Sequence, residues 1–377
     1  MFMLPKAVCN EIESLMARFL WAGTSLEPHK TKVAWKQVTK PKCEGGLNLC
    51  RITTWNKAAI MKNMWHILTE AEENIWTSWA RKNLLKGKTI WYAKIPDKCS
   101  WNWRKILALR HLMKQLVSWR VGDGSRISFW WDAWRTPEPL IELFGEHEVK
   151  RAGLPTEITV HEFLATYLGR DNQASGLNRH AASIINRLRQ IIPATQSPSN
   201  QQKDKLLWNL GSSGKFSVSS AYAQLRDKGQ IVAWHKFIWF PKAVLRFAFI
   251  AWMVMLDRLP TNDRFFRLGV SNTSSCQLCG SRWETIDHLF FSCSFSRQVW
   301  DLSLAHFVPN NFPRMWSAIC RLVLGPAKHP LASNTAFKRG TAAAIYYVWM
   351  ERNLRRVDPL RRLSPTTIAS FVSTCIS

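Results

Sequence analysis

The chain has 377 residues, 46% of them hydrophobic, and its 52 Lys and Arg against 26 Asp and Glu give a formal charge of +26. That hydrophobic share excludes a disordered basic tail and can fill a sizeable core, while the charge favours nucleic acid, an anionic membrane or another acidic partner. The longest apolar run, residues 247–256, falls well short of the roughly 20 residues that span hydrocarbon, and Pro5 and Lys6 cut off any signal-peptide core. An intracellular protein, nuclear or cytoplasmic, with no membrane partner is therefore expected.

Taken in chain order, Val8, Ile12, Leu15, Met16, Phe19 and Leu20 recur at three- and four-residue steps and predict a helix of about four turns. Cys43-Glu-Gly-Gly46 reads as a turn, and Trp55 to Leu68 as a second amphipathic helix. Val121-Gly-Asp-Gly-Ser125, followed by the alternating Arg126 to Trp130, predicts a β-hairpin around Asp123-Gly124. Residues 193–202 are polar with two prolines and predict a linker. Leu206 to Leu210 and Lys215 to Val218 flank Gly211-Ser-Ser-Gly214 in a strand, loop, strand pattern. A short helix to Arg226 then follows, capped by Ser217 or Ser219. Beyond the apolar stretch 244–259, Thr261 is the expected N-cap of a helix over 262–268, and Ala342 to Arg356 again reads as helix. The fold class expected is mainly α with small β-hairpins.

Tryptophan and charge partition the chain in the same way. Thirteen tryptophans fall between Trp21 and Trp134, none in 135–207, and eight between Trp208 and Trp349. Residues 1–144 carry +11, residues 145–205 +2, and residues 206–377 +13, so two basic halves flank a neutral middle.

Of nine cysteines, six are scattered (Cys9, Cys43, Cys50, Cys99, Cys320, Cys375), which argues against a disulfide framework and predicts buried thiols. The other three belong to a pattern, C-x2-C-x8-H-x4-C, made by Cys276, Cys279, His288 and Cys293. Two thiolates two residues apart reach one ion from a tight turn, and four protein ligands close a tetrahedral site. One structural zinc ion is therefore expected. The competing readings are a redox Cys-x-x-Cys pair, which would need a thioredoxin-like βαβ context that is absent here, and a plain core histidine at 288.

At these residues the sequence resembles the zinc-binding domain of plant LINE-type (non-LTR) retrotransposon reverse transcriptases. The resemblance rests on Cys276-x2-Cys279, Glu284-Thr285, His288-Leu-Phe-Phe291, Cys293 and Trp300. It continues upstream through Asp204 to Trp208, Gly214 to Val218 and Leu259-Pro-Thr261, and downstream to Trp349-Met-Glu-Arg-Asn353. Phe19 to Gly23, Gly45-Gly-Leu47, Val121 to Gly124, Phe129-Trp130 and Asp132-x-Trp134 are similar to the segment after the polymerase domain in those proteins. The resemblance divides the chain into 1–144, a helical post-polymerase region; 145–203, a connecting region; 204–300, the zinc-binding domain; and 301–377, a C-terminal helical region. It also implies the C-terminal part of a retroelement polyprotein, as remnant or fragment.

A polymerase palm holds two metal ions on paired carboxylates, and this sequence has no Asp-Asp dipeptide. Its adjacent acids, Glu72-Glu73, fit a solvated helix face, and an RNase H carboxylate set is not recognisable. The expectation is a protein without catalysis of its own that grips RNA or DNA. Lys242, Arg246, Arg258, Arg264 and Arg267, interleaved with aromatic residues, are the candidate contacts. The alternative is a zinc-stabilised scaffold that recruits an acidic protein.

Overall fold

The computed structural model describes residues 2–27, 31–69, 75–86, 89–168, 178–192, 202–281, 283–308, 315–316, 318, 320 and 334–376. Glu72-Glu73 and the linker expected near 193–202, apart from Gln202, lie outside the described residues. The chain divides into two compact units: Met1–Glu13 with Arg51–Asp227, and Ser14–Cys50 with Lys228–Ser377. Residues 204–227 thus pack in the first unit, and 228–300 in the second together with 301–377.

Helix α1 (Lys6–Ala22) contributes its first turns to the first unit and its remainder to the second. The first unit is built on α2 (Ile52–Thr69), which buries Ala58, Met61 and Met64. Around it lie α3 (Trp101–Ala108), the strands β1 (Val117–Arg120) and β2 (Lys205–Trp208) and α5 (Val218–Leu225), while α4 (Arg179–Ile191) packs in a separate core of the same unit. Ser217 caps α5 by accepting from the Ser220 amide at 3.1 Å, as the sequence indicates. Trp208 meets Trp65 edge-on at 6.2 Å and donates its indole N–H to Ser220 Oγ at 2.8 Å, so the strand is locked to both helices.

The small sheet departs from the expected hairpins. β1 pairs antiparallel with β2, placing Val117 opposite Trp208 and Arg120 opposite Lys205, while Ser128 forms an isolated bridge with Thr159. The turn chemistry is correct but joins no hairpin. Asp123 accepts from the Ser125 amide at 3.2 Å and Gly124 adopts φ +72°, yet the chain leaves in another direction. Asp204 causes this: its buried carboxylate accepts from the amides of Gly122, Gly124 and Arg126, so the turn is tied to β2 rather than to the residues that follow it. The second expected hairpin reduces to one bond, from the Trp208 amide to the Gly214 carbonyl at 2.9 Å.

A second core in the first unit gathers the Phe129 to Trp134 cluster. Phe129 stacks on Phe163 with centroids 3.7 Å apart, and the indoles of Trp130, Trp131 and Trp134 donate to the carbonyls of Pro155, Thr156 and Phe129. Asp132 is buried there and accepts from the Ser128 amide and from Trp91 Nε1 at 2.7 Å. Burial pushes its carboxyl above the ordinary value, and these donors only partly oppose the shift.

In the second unit, α6 (Leu245–Met255) buries Phe247, Ala248, Ala251 and Trp252, and α7 (Asn262–Arg267) follows it. Then come α8 (Ser294–Leu304), the long α9 (Thr335–Val357) and α10 (Pro365–Ile376); α9 packs on α6, α8 and α10. The Gly45-Gly46 turn belongs here: Trp252 Nε1 donates to the Gly45 carbonyl at 2.9 Å, and the Val232 amide to the Cys43 carbonyl at 2.8 Å.

Most tryptophans serve packing, and Trp103, Trp130, Trp208, Trp234, Trp252, Trp300 and Trp349 are buried. Trp55, Trp79, Trp101 and Trp283 are exposed. Of the six scattered cysteines Cys9 alone is buried and Cys50 is exposed, so burial of these thiols was overestimated; all nine thiols are free. Among the described residues no helix is long and apolar enough to cross a membrane.

Candidate metal centre

The metal centre begins at a turn. Gly280, at φ +77°, lets its amide return to the Cys276 carbonyl at 2.8 Å, and the Cys276 amide donates to the Ser281 carbonyl, so the loop closes on itself. Cys276 and Cys279 flank this turn. His288 follows on a helical stretch that widens to a π-turn over His288–Ser292, closed by the Cys293 amide on the His288 carbonyl at 2.7 Å. The wide turn delivers Cys293 at its exit, just before α8, consistent with a fourth ligand supplied from outside the histidine's helical face. Thr285 Oγ1 accepts from the His288 amide at 3.1 Å and fixes the start of that stretch.

The four donor atoms all lie within 4.8 Å of one another, and Cys279 Sγ is 3.2 Å from His288 Nε2. Tetrahedral zinc with bonds of about 2.3 Å to sulfur and 2.0 Å to nitrogen would set such atoms roughly 3.5–3.8 Å apart, so small movements seat the ion. Three soft thiolates and one imidazole suit zinc and leave no ligand position open. Cys276 and Cys293 are buried, with Cys279 and His288 half-buried at the mouth. The Cys276 thiol hydrogen-bonds Cys293 and holds the Cys293 pKa down to about 5, helped by nearby amides, whereas the same contact and burial push Cys276 up.

A buried ion pair fastens this loop to the rest of the unit. Glu284 is 0% exposed and Arg352, on α9, 1%. Arg352 Nε donates to Glu284 Oε1 at 2.9 Å, and Nη2 donates to both Glu284 Oε1 and Asn262 Oδ1. The other Glu284 oxygen accepts from the amide of Gln277, between the first two cysteines, at 3.1 Å. Glu284 also accepts from the Asn262 amide at the start of α7. Thr261 occupies the expected N-cap position, but its hydroxyl donates to the Asp263 carboxylate instead of capping a backbone amide. Arg355 reaches the Leu278 carbonyl at 3.1 Å while paired with Glu351. The Trp349 to Asn353 motif therefore clasps the metal loop.

Comparison with known proteins agrees with this geometry. Residues 216–300 match a protein family described as zinc-binding in reverse transcriptase. The chain carries a reverse-transcriptase zinc-binding region. A putative ribonuclease H protein of Arabidopsis thaliana is 27% identical over 310 residues, which is 79% of this chain and 48% of that protein. An uncharacterized mitochondrial protein of the same plant is 25% identical over 142 residues, 37% of this chain and 92% of its own length. The chain thus spans about half the length of the first of these relatives. The matched region ends at residue 300, yet the zinc-binding region draws Arg352 and Arg355 from α9.

The five basic residues singled out in the sequence do not form one cluster. Lys242 and Arg246 sit at the start of α6, and Arg258, Arg264 and Arg267 beyond its end, about 16 Å of helix away. Arg264 is paired with Asp257 and Arg267 with Asp263. Lys242, Arg246 and Arg258 are exposed and make no ion pair among the described residues; the Arg246 guanidinium lies over the Phe247 and Tyr346 rings. Near the metal loop, Phe266 (44% exposed) and Trp283 (49%) meet edge-on at 6.0 Å. Trp283 was missed in the sequence because a tryptophan among twenty others carries no signal of exposure.

Proposed function

We propose that this chain is a nucleic-acid-binding, zinc-containing part of a LINE-type reverse transcriptase, acting inside the cell in nucleus or cytoplasm, without catalysis of its own. The carrying observation is the converging set of three cysteines and one histidine inside the matched region, with two exposed rings near the metal loop. Zinc is structural in this reading: Cys276, Cys279, His288 and Cys293 would hold it, and it would fix the loop that presents Trp283. Exposed rings can stack on unpaired bases at about 1–3 kcal/mol each, while Arg258, Lys242 and Arg246 meet phosphates. The ribonuclease in the name of the Arabidopsis relative belongs, in this reading, to the part of that protein the present chain does not span.

The test is equilibrium binding of labelled single-stranded RNA and DNA by the zinc-loaded chain. Affinity should fall steeply between about 50 and 200 mM salt, and unlabelled strand of generic sequence should compete. Flat salt dependence, or binding only to an acidic polypeptide that nucleic acid cannot displace, would replace this reading with the scaffold alternative. The exposed Leu268 and Val270 beside Phe266 would suit that protein surface.

A further inference from the structure

The first unit contains a basic cleft remote in sequence from the metal loop. We infer that this cleft, lined by Lys62, Lys203, Lys205 and Lys215, holds the phosphates of a single nucleic-acid strand. It has a volume of about 900 Å³ and is walled by α2, the Asp123–Arg126 turn, the start of β2 and the Gly214–Phe216 segment. That is the upper end of the range for ligand-sized pockets, a concavity fit for a strand with splayed bases rather than a rigid duplex.

Basic groups outnumber acids in the cleft. The four lysines are exposed and make no ion pair among the described residues. Arg126 and His66 add to the lining. Two acids are present, and both are turned to other work. Asp204 is buried on the amides of Gly122, Gly124 and Arg126, and Asp123 is held by the Ser125 amide and hydroxyl. Strand register adds a second, independent sign. Arg120 stands directly opposite Lys205, so two like charges share one face of the sheet, an arrangement that costs stability until an anion lies between them. A fold that tolerates this repulsion beside three more lysines is organised around a polyanion.

Aromatic rings complete the wall. Trp65 and Phe216 are half-buried, stacked on each other at 5.9 Å and 27°, and both line the cleft. They give bases an apolar floor while the lysines follow the backbone, the arrangement that general single-strand binders use. Ser125 and Arg126 also line an adjoining pocket of about 340 Å³ that contains Arg81, Trp91 and Asp132.

The experiment compares two charge-matched variants of the full, zinc-loaded chain by fluorescence anisotropy with labelled oligouridine and oligothymidine. One carries Lys62→Gln, Lys203→Gln, Lys205→Gln and Lys215→Gln. The other carries Lys82→Gln, Lys86→Gln, Lys94→Gln and Lys98→Gln, four exposed lysines of the same unit outside the cleft. Losing four phosphate contacts at about 0.7 each should make the slope of log affinity against log salt shallower by about 3. Affinity at low salt should fall at least about tenfold in the cleft variant and change no more than about twofold in the other. Equal losses in both variants, an unchanged slope in the cleft variant, or a duplex of equal length competing as well as the single strand would each overturn the inference. Because neither variant touches the second unit, the result stands apart from the fate of Arg258, Lys242 and Arg246.

Discussion

Replacing Arg352 with Met should uncouple the metal loop from the long helix that supports it. The side chain is 1% exposed and its partner Glu284 0%, so the substitution leaves a carboxylate stranded in the protein interior. Four hydrogen bonds disappear: two to Glu284, one to Asn262 Oδ1 at 2.8 Å and one to Asn353 Oδ1 at 2.9 Å. Glu284 retains the amides of Asn262 and Gln277, which offset part of the loss. Removing one partner of a buried pair costs about 3–5 kcal/mol, and methionine of similar length limits any cavity contribution. Gln277 lies between Cys276 and Cys279, so loosened loop geometry should also weaken zinc binding by about 10–100-fold, as loss of outer-shell support does elsewhere. Urea unfolding of the zinc-loaded chain measures the first quantity, and zinc competition against a chromophoric chelator the second. Adding Glu284→Gln to Arg352→Met should recover part of the stability, because the orphaned charge is gone. A single variant within about 1 kcal/mol of wild type, with unaltered zinc affinity, would refute the idea that the pair fastens the loop.

Other parts of the fold offer independent checks. A Cβ at Gly46 would lie 2.0 Å from the Lys40 carbonyl oxygen, so Gly46→Ala should destabilise the second unit by about 3 kcal/mol or more; a neutral outcome in thermal unfolding would contradict the packing described. Burial raises the Asp132 carboxyl above its ordinary 3.8, so its native state holds the proton more tightly than the unfolded chain does. Its contribution to stability is therefore full below about pH 3.8 and lost as pH rises through the raised native value. The stability difference between wild type and Asp132→Asn should decline over that window, and a difference that does not vary with pH would count against the burial. Trp283→Ala should weaken single-strand binding by about 1–3 kcal/mol with little change in salt slope, since it removes stacking and not charge. A change confined to the salt slope in an oligonucleotide titration would contradict that role.

The sequence exposed the chemistry of the site more readily than the path of the chain. Cys276, Cys279, His288 and Cys293 were legible because metal ligation demands fixed residue types at short spacing, and the structure brings the four together. Helices α1, α2, α5, α7 and α9 were legible from apolar periodicity and capping residues. Strand pairing was not. Val121 to Ser125 has the composition of a hairpin turn, but its partner lies about eighty residues away at Asp204, and local composition cannot name a distant acceptor. Close approach explains the same glycines: a Cβ at Gly122 would sit 2.2 Å from the Gln202 carbonyl oxygen. Arg352 left a trace that could have been read. It falls on the α9 stripe of Thr341, Ile345 and Val348, all buried, and a cation on a buried stripe calls for an acid. The four-lysine cleft left none, because Lys62 and Lys215 join the Lys203 and Lys205 pair only through tertiary folding.

Zinc content of the purified chain tests the central claim most directly. Elemental analysis should find one zinc per chain, retained when the exposed Cys50 is changed to Ser and lost when Cys293 is changed to Ser. A wild-type chain that holds no zinc, or a Cys293→Ser chain that keeps its full share, would contradict the account.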